Sequence, residues 1–109
     1  MVDYKHKYNA LINFAIGRNW PIDRNHNLKI YTEVHHIIPR CMNGSDDKTN
    51  LVRLTGQEHF NAHMLLAKAY PDVKGLTLAA YRVSYINGIK ISDDEYSYVR
   101  QKHAETISQ

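Results

Sequence analysis

Two histidines four residues apart, His59 and His63, and an adjacent pair, His35-His36, are the residues of this chain best placed to do chemistry; they are four of its seven histidines. Positions i and i+4 share one face of a helix, which is how a helix offers two imidazoles to one metal ion. A third ligand must then come from another element. His35-His36 closes a β-branched and aromatic run, and neighbours on a strand point to opposite sides. One of the pair can therefore ligate a metal while the other stays available to move a proton, and imidazole suits both tasks near neutral pH. A lone His-x-x-x-His, or a lone His-His, is usually ordinary surface or core chemistry. The whole order argues for a site: His-His, Pro39, a Gly-containing loop, Asn50-Leu-Val-Arg-Leu-Thr, then Glu58-His-x-x-x-His.

The elements that must position these residues can be read around them. Ile30 to Ile38 has strand composition and stops at Pro39, which cannot continue a paired strand. Residues 39–49 form a loop, with Asn43-Gly44 suited to a left-handed turn and Ser45, Asp46, Asp47 and Lys48 polar. Leu51 to Leu54 is a second short strand. Thr55-Gly-Gln-Glu58 is a capping box, opening a helix that runs to about Tyr70 with Pro71 at its end. Strand, long loop, strand and helix thus make one unit over residues 33–71.

The flanks are predicted helical. Tyr4, Tyr8, Leu11, Ile12 and Ala15 recur at helical intervals over residues 3–17, with Asp3 as cap and Gly17 as stop, and this stripe is expected to be core. Residues 18–29 read as loop, anchored by Trp20-Pro21. A short helix is expected from Leu76 to Ile86, with Leu76, Ala79, Ala80 and Val83 apolar and Asn87-Gly88 ending it. Ser92-Asp-Asp-Glu95 is a second capping box, for a helix to about Ile107 whose stripe is Tyr96, Val99, His103 and Ile107.

Residues 33–71, about a third of the chain, resemble the HNH nucleases, above all the small phage-encoded homing-type endonucleases and more distantly the nuclease domains of colicins. The matching residues are His35-His36, Asn50 and His59…His63. The resemblance implies an α+β fold: a ββα-metal (His-Me finger) core of β-hairpin plus helix, flanked by N- and C-terminal helices in a single domain over residues 1–109. It implies His35, His59 and His63 as metal ligands, His36 as general base, and Asn50 as the residue that braces the loop and orients His36. Where many relatives carry Gly-Gly this loop has Asn43-Gly44, and Asn tolerates the left-handed conformation. The structural zinc ribbon of some HNH groups needs paired Cys-x-x-Cys motifs, which a chain with one cysteine does not have.

The implied chemistry is hydrolysis of DNA phosphodiester bonds. A single divalent ion on three imidazoles would act as Lewis acid on a phosphate oxygen and the leaving 3′-oxygen. His36 would take the proton from water, a role typically worth about 10²–10⁴-fold, held by an amide contact from Asn50. Three imidazoles favour zinc, nickel or another transition metal over magnesium; with the variety in the family, zinc, nickel, manganese and magnesium all stay in play. One site cuts one strand per visit, so a double-strand break takes a homodimer or two visits. The alternatives are a zinc-stabilised nucleic-acid-binding module without catalysis, and a nuclease acting on RNA.

Composition fits this picture without proving it. At 109 residues and 43% hydrophobic content the chain can bury a modest core. A net charge of +3 and a pI near 9.0 suit a polyanionic partner. Neither a membrane-length apolar run nor a signal peptide is expected, and a single cysteine fits the cytoplasm, that of the host cell for a phage protein. Arg40, at the mouth of the loop, is the main candidate to neutralise the scissile phosphate. Arg18, Arg24, Arg53 and Lys68 are weaker candidates for backbone contacts, and Arg100 and Lys102 are expected on the outer face of the last helix. Cys41 reads as a bystander, and His6 and His26 as surface residues.

Overall fold

A computed structural model describes residues 2–86 and, beyond them, residues 88, 90, 92, 94, 95, 97, 98 and 101. Helix α1 spans Tyr4–Gly17 and is capped by the Asp3 carboxylate, which accepts from His6 N at 3.0 Å. Its buried residues, Tyr8, Ile12 and Ala15, follow the predicted stripe at three- and four-residue intervals. The chain leaves α1 through Arg18 and through Asn19, whose φ of 56° is left-handed.

Strand β1, Thr32–His36, pairs antiparallel with β2, Leu51–Thr55, in a register that sets His35 opposite Val52 and His36 opposite Leu51. The observed β1 is shorter than the predicted Ile30–Ile38. Its partner gives the reason: Thr55 is the N-cap of the next helix, so β2 has no residue left to pair with Ile30 or Tyr31, which are exposed. Past His36, the chain stays tied by the Ile37 amide donating to the Asn50 carbonyl at 2.8 Å.

Helix α2, Gly56–Ala69, begins at the expected capping box: Thr55 Oγ1 accepts from Glu58 N at 3.1 Å, and Glu58 Oε1 accepts from Thr55 N at 2.8 Å. Helix α3, Leu76–Ile86, has the predicted bounds. Tyr8, Ile12, Val52, Leu54, Leu66 and Leu76 belong to one core cluster, which joins α1, β2 and α2. A second cluster, Phe60, Met64, Ala80 and Val83, packs α3 on another side of α2. A β-hairpin and a helix thus form the centre, with helices on both flanks.

The second capping box is present, Glu95 N donating to Ser92 Oγ at 3.1 Å. The expected stripe Tyr96, Val99, His103 and Ile107, the basic Arg100 and Lys102, and Asn87 of the predicted stop lie outside the described residues. Among the described residues, no helix is long and apolar enough to cross a membrane.

Candidate metal centre and loop

The strand alternation that places His35 inward also places Glu33 there, two residues earlier, and both meet α2. His35, His59 and His63 come together so that one ring nitrogen from each lies within 4.8 Å of the others. Their ring centroids are 5.2 Å (His35–His59), 5.0 Å (His35–His63) and 4.8 Å (His59–His63) apart. His63 Nε2 faces His59 Nε2 at 3.2 Å. Two nitrogens bound to one tetrahedral ion at 2.0–2.1 Å would stand roughly 3.3 Å apart, so this spacing suits a shared ion.

The surroundings of the rings fit a cation as well. Glu33 Oε1 accepts from His59 Nδ1 at 2.8 Å, which leaves the lone pair of neutral His59 on Nε2, toward His63. His63 Nδ1 is buried with no hydrogen-bond partner among the described residues. Burial, then the neighbouring His63, His59 and His36, pushes the His35 pKa down to about 2. Burial and His59 push that of His63 down to about 4, against an upward pull from Glu33. Both rings are therefore neutral at physiological pH, the form that ligates a metal. His35, His59 and His63 make a three-imidazole site for one divalent ion.

His35 has a partner that the sequence did not announce. Tyr8 Oη of α1 lies 2.7 Å from His35 Nε2 and donates to the Ile37 carbonyl at 2.6 Å. Burial raises the Tyr8 hydroxyl well above the ordinary phenol range, so it stays protonated. Periodicity places Tyr8 in the core and says nothing of its hydroxyl. The available signal was that a buried phenol needs a hydrogen-bond partner.

The loop after β1 carries the other half of the constellation. His36 Nε2 contacts Asp46 Oδ1 at 2.8 Å, and Arg40 donates to that same oxygen through Nε at 3.2 Å and through an Nη at 3.0 Å. The His36 imidazole, and then Arg40, hold the Asp46 carboxyl below its usual range. His36 Nδ1 has no hydrogen-bond partner among the described residues. In the sequence Asp46 is one of several polar residues of the 39–49 loop, and no spacing links it to His36.

Asn50 is buried, and its side chain is fully engaged within the loop. Oδ1 accepts from Ile38 N at 2.8 Å, while Nδ2 donates to Ile38 O at 3.0 Å and to Ser45 O at 2.8 Å. The expected amide contact between Asn50 and His36 is not made: Oδ1 and Nδ2 of Asn50 bind loop backbone, and Asp46 meets the imidazole instead. Asn43 takes the left-handed conformation at φ 68°. Gly44 is required by close approach, because a Cβ there would overlap the Ile38 carbonyl, and its amide donates to Pro39 O at 3.0 Å.

The weaker phosphate candidates divide. Arg53 is only 6% exposed and is spent internally, Nε donating to Pro21 O at 2.7 Å and its Nη groups to Thr32 Oγ1, Ile22 O and Asp23 O. It pins the 18–29 loop, with Arg18 stacked 3.4 Å over the Trp20 ring. Arg18 is also bidentate to Glu58, at 2.8 and 2.6 Å, and holds that carboxyl below its usual range. Lys68 sits near the rings of Tyr4 and Tyr98. Arg24 and Arg40 are exposed, as is Cys41.

A hairpin and helix converging on three imidazoles, with flanking helices on either side, define the ββα-metal, or His-Me finger, class. The chain is 42% identical over 109 residues to probable mobile endonuclease B of Enterobacteria phage T4, an alignment that takes in 99% of this chain and 40% of that protein. It is 47% identical over 89 residues to probable mobile endonuclease E of the same phage, covering 82% of this chain and 57% of the relative. Probable mobile endonuclease D, also from phage T4, is 39% identical over 115 residues and is covered to 42%. The chain thus spans about half the length of the curated relatives it matches. No protein-family model matches the chain, and no solved structure matches it at a significant level. The chain is thus similar over nearly its whole length to the probable mobile endonucleases of phage T4 and carries the histidine arrangement of the HNH (His-Me finger) class.

Proposed function

We propose that the chain hydrolyses DNA phosphodiester bonds as a metal-dependent endonuclease of the homing type. The observation that carries the reading is the convergence of His35, His59 and His63 beside a histidine, His36, that does not join them and keeps Nδ1 without a partner among the described residues. When bound, a divalent ion supplies Lewis acidity toward phosphate and leaving-group oxygens. The residues of the chain do the rest. Asp46 accepts from His36 Nε2, which leaves the imidazole lone pair on Nδ1, the atom that takes a proton from the attacking water. Asn50 ties Ile38 to Ser45 and so fixes the loop that carries Asp46. Arg40 lies at the same carboxylate, free of any burial that would keep its guanidinium from a DNA phosphate.

The chain acts in the cytoplasm of the host cell on this reading, and one site nicks one strand per encounter. A double-strand break then takes two copies of the chain, or two visits. The test is parallel incubation of the wild-type and His36→Ala proteins with supercoiled plasmid, single-stranded DNA and RNA, across magnesium, manganese, nickel and zinc. Plasmid nicking by the wild type that disappears in His36→Ala is the expected result. Equal nicking by both proteins removes His36 as base. Metal binding without cleavage of any substrate points to a zinc-stabilised binding module, and cleavage confined to RNA moves the substrate.

A further inference from the structure

Helix α1 meets the metal centre at Tyr8. Tyr8 is 6% exposed, its ring set edge-on to His35 with centroids 6.0 Å apart, and phenylalanine would fill the same space. What tyrosine adds is the hydroxyl, 2.7 Å from His35 Nε2 and 2.6 Å from the Ile37 carbonyl oxygen. A hydroxyl has one proton, and a carbonyl oxygen can only accept. That proton therefore goes to Ile37, and the hydrogen in the other contact has to belong to His35 Nε2. A neutral imidazole protonated at Nε2 carries its lone pair on Nδ1, and Nδ1 of His35 has no hydrogen-bond partner among the described residues.

We infer that Tyr8 is a positioning residue of the metal centre, committing His35 to hold the divalent ion through Nδ1. His59 is committed the other way: its Nδ1–H is taken by Glu33, and it presents Nε2. The two ligands are thus fixed in opposite tautomers by partners on different elements, α1 for the strand histidine and β1 for the helix histidine. Such outer partners orient the ring and set which nitrogen is free, and their loss typically weakens metal binding. The inference rests on the metal site of the proposed function and is independent of the hydrolytic step, so its test reads the metal and not the cleavage.

Long-range nitrogen–proton correlation spectra of the zinc-loaded chain report the protonated nitrogen of each ring. The expected pattern is His35 protonated at Nε2 and His59 at Nδ1. In chelator competition, Tyr8→Phe binds zinc about 10–100-fold more weakly than wild type, while Ile12→Val, which trims the same buried face of α1, leaves the affinity unchanged. A spectrum with His35 protonated at Nδ1 overturns the inference, as does wild-type affinity in a folded Tyr8→Phe protein. Should Tyr8→Phe fail to fold, the wild-type spectrum decides alone. Zinc failing to bind the wild-type chain removes the site itself, and the inference with it.

Discussion

His35, on β1, is 2% exposed, whereas Asp46, on the loop that follows, keeps 71% of its side chain in solvent. These two residues mark the ends of one site that are built on opposite principles. At the metal end each ligand sits on a regular element, and two of the three are held from behind, His35 by Tyr8 and His59 by Glu33. At the end proposed to move the proton, His36 closes its strand, and its partners Asp46 and Arg40 belong to an exposed loop whose shape depends on Asn50 and Gly44. Donor atoms must be fixed to fractions of an ångström to share an ion, which regular elements do better than loops. A surface proposed to receive a duplex has to stay open to it. The contrast teaches that ligation and proton transfer should be separable by mutation although His35 and His36 are adjacent.

The sharpest way to break that comparison is at His36. His36→Ala should cut plasmid nicking by about 10²–10⁴-fold while the protein still binds one ion per chain, measured by metal analysis after desalting. Loss of the ion together with the activity would mean that the two ends are one structure. Next in size come the two residues that shape the loop. Gly44→Ala forces a methyl into the Ile38 carbonyl, and overpacking of this kind costs about 1–3 kcal/mol. In a domain of this size that lowers Tm by roughly 4–8 °C for each kcal/mol. Asn50→Ala leaves the Ile38 amide and carbonyl and the Ser45 carbonyl without their partner, a loss of about 1–3 kcal/mol. Calorimetry should show both, and both variants should keep metal affinity closer to wild type than they keep nicking. The smallest effect is expected at Asp46. Asp46→Asn should leave Tm unchanged, because the carboxylate is exposed, and should lower kcat more than it alters KM, because what it loses is the orientation of His36. A Tm shift without a kcat effect would make Asp46 a loop residue and nothing more.

Most of the scaffold was legible because its signals are local. The capping box at Thr55 and Glu58, the stripe of Tyr8, Ile12 and Ala15, and the bounds of α3 are all set by residues a few positions apart. The pairing of His59 with His63 was legible because i,i+4 spacing on a helix translates directly into a face, and alternation on a strand separates His35 from His36; that His35 is the one facing the helix pair was implied by the family resemblance. What escaped was set by tertiary placement. Arg53 reads as a surface cation on a strand, yet it is buried because the 18–29 loop offers it three backbone carbonyls. Arg18 is drawn to Glu58, forty positions along the chain. The same holds for Tyr8 against His35 and Asp46 against His36, whose side-chain pairings depend on how helix and loop dock. Strand β1 came out short because its length is fixed by its partner, not by its own composition.

The central claim is that three imidazoles from a strand and a helix hold one ion. Titrating zinc or cobalt into the metal-free chain, alongside His35→Ala, His59→Ala and His63→Ala, tests it most directly. One ion per wild-type chain, with affinity collapsing in each of the three variants, is the predicted result. Binding that survives any one of those substitutions undiminished, or a wild-type chain that takes up no ion, would contradict it.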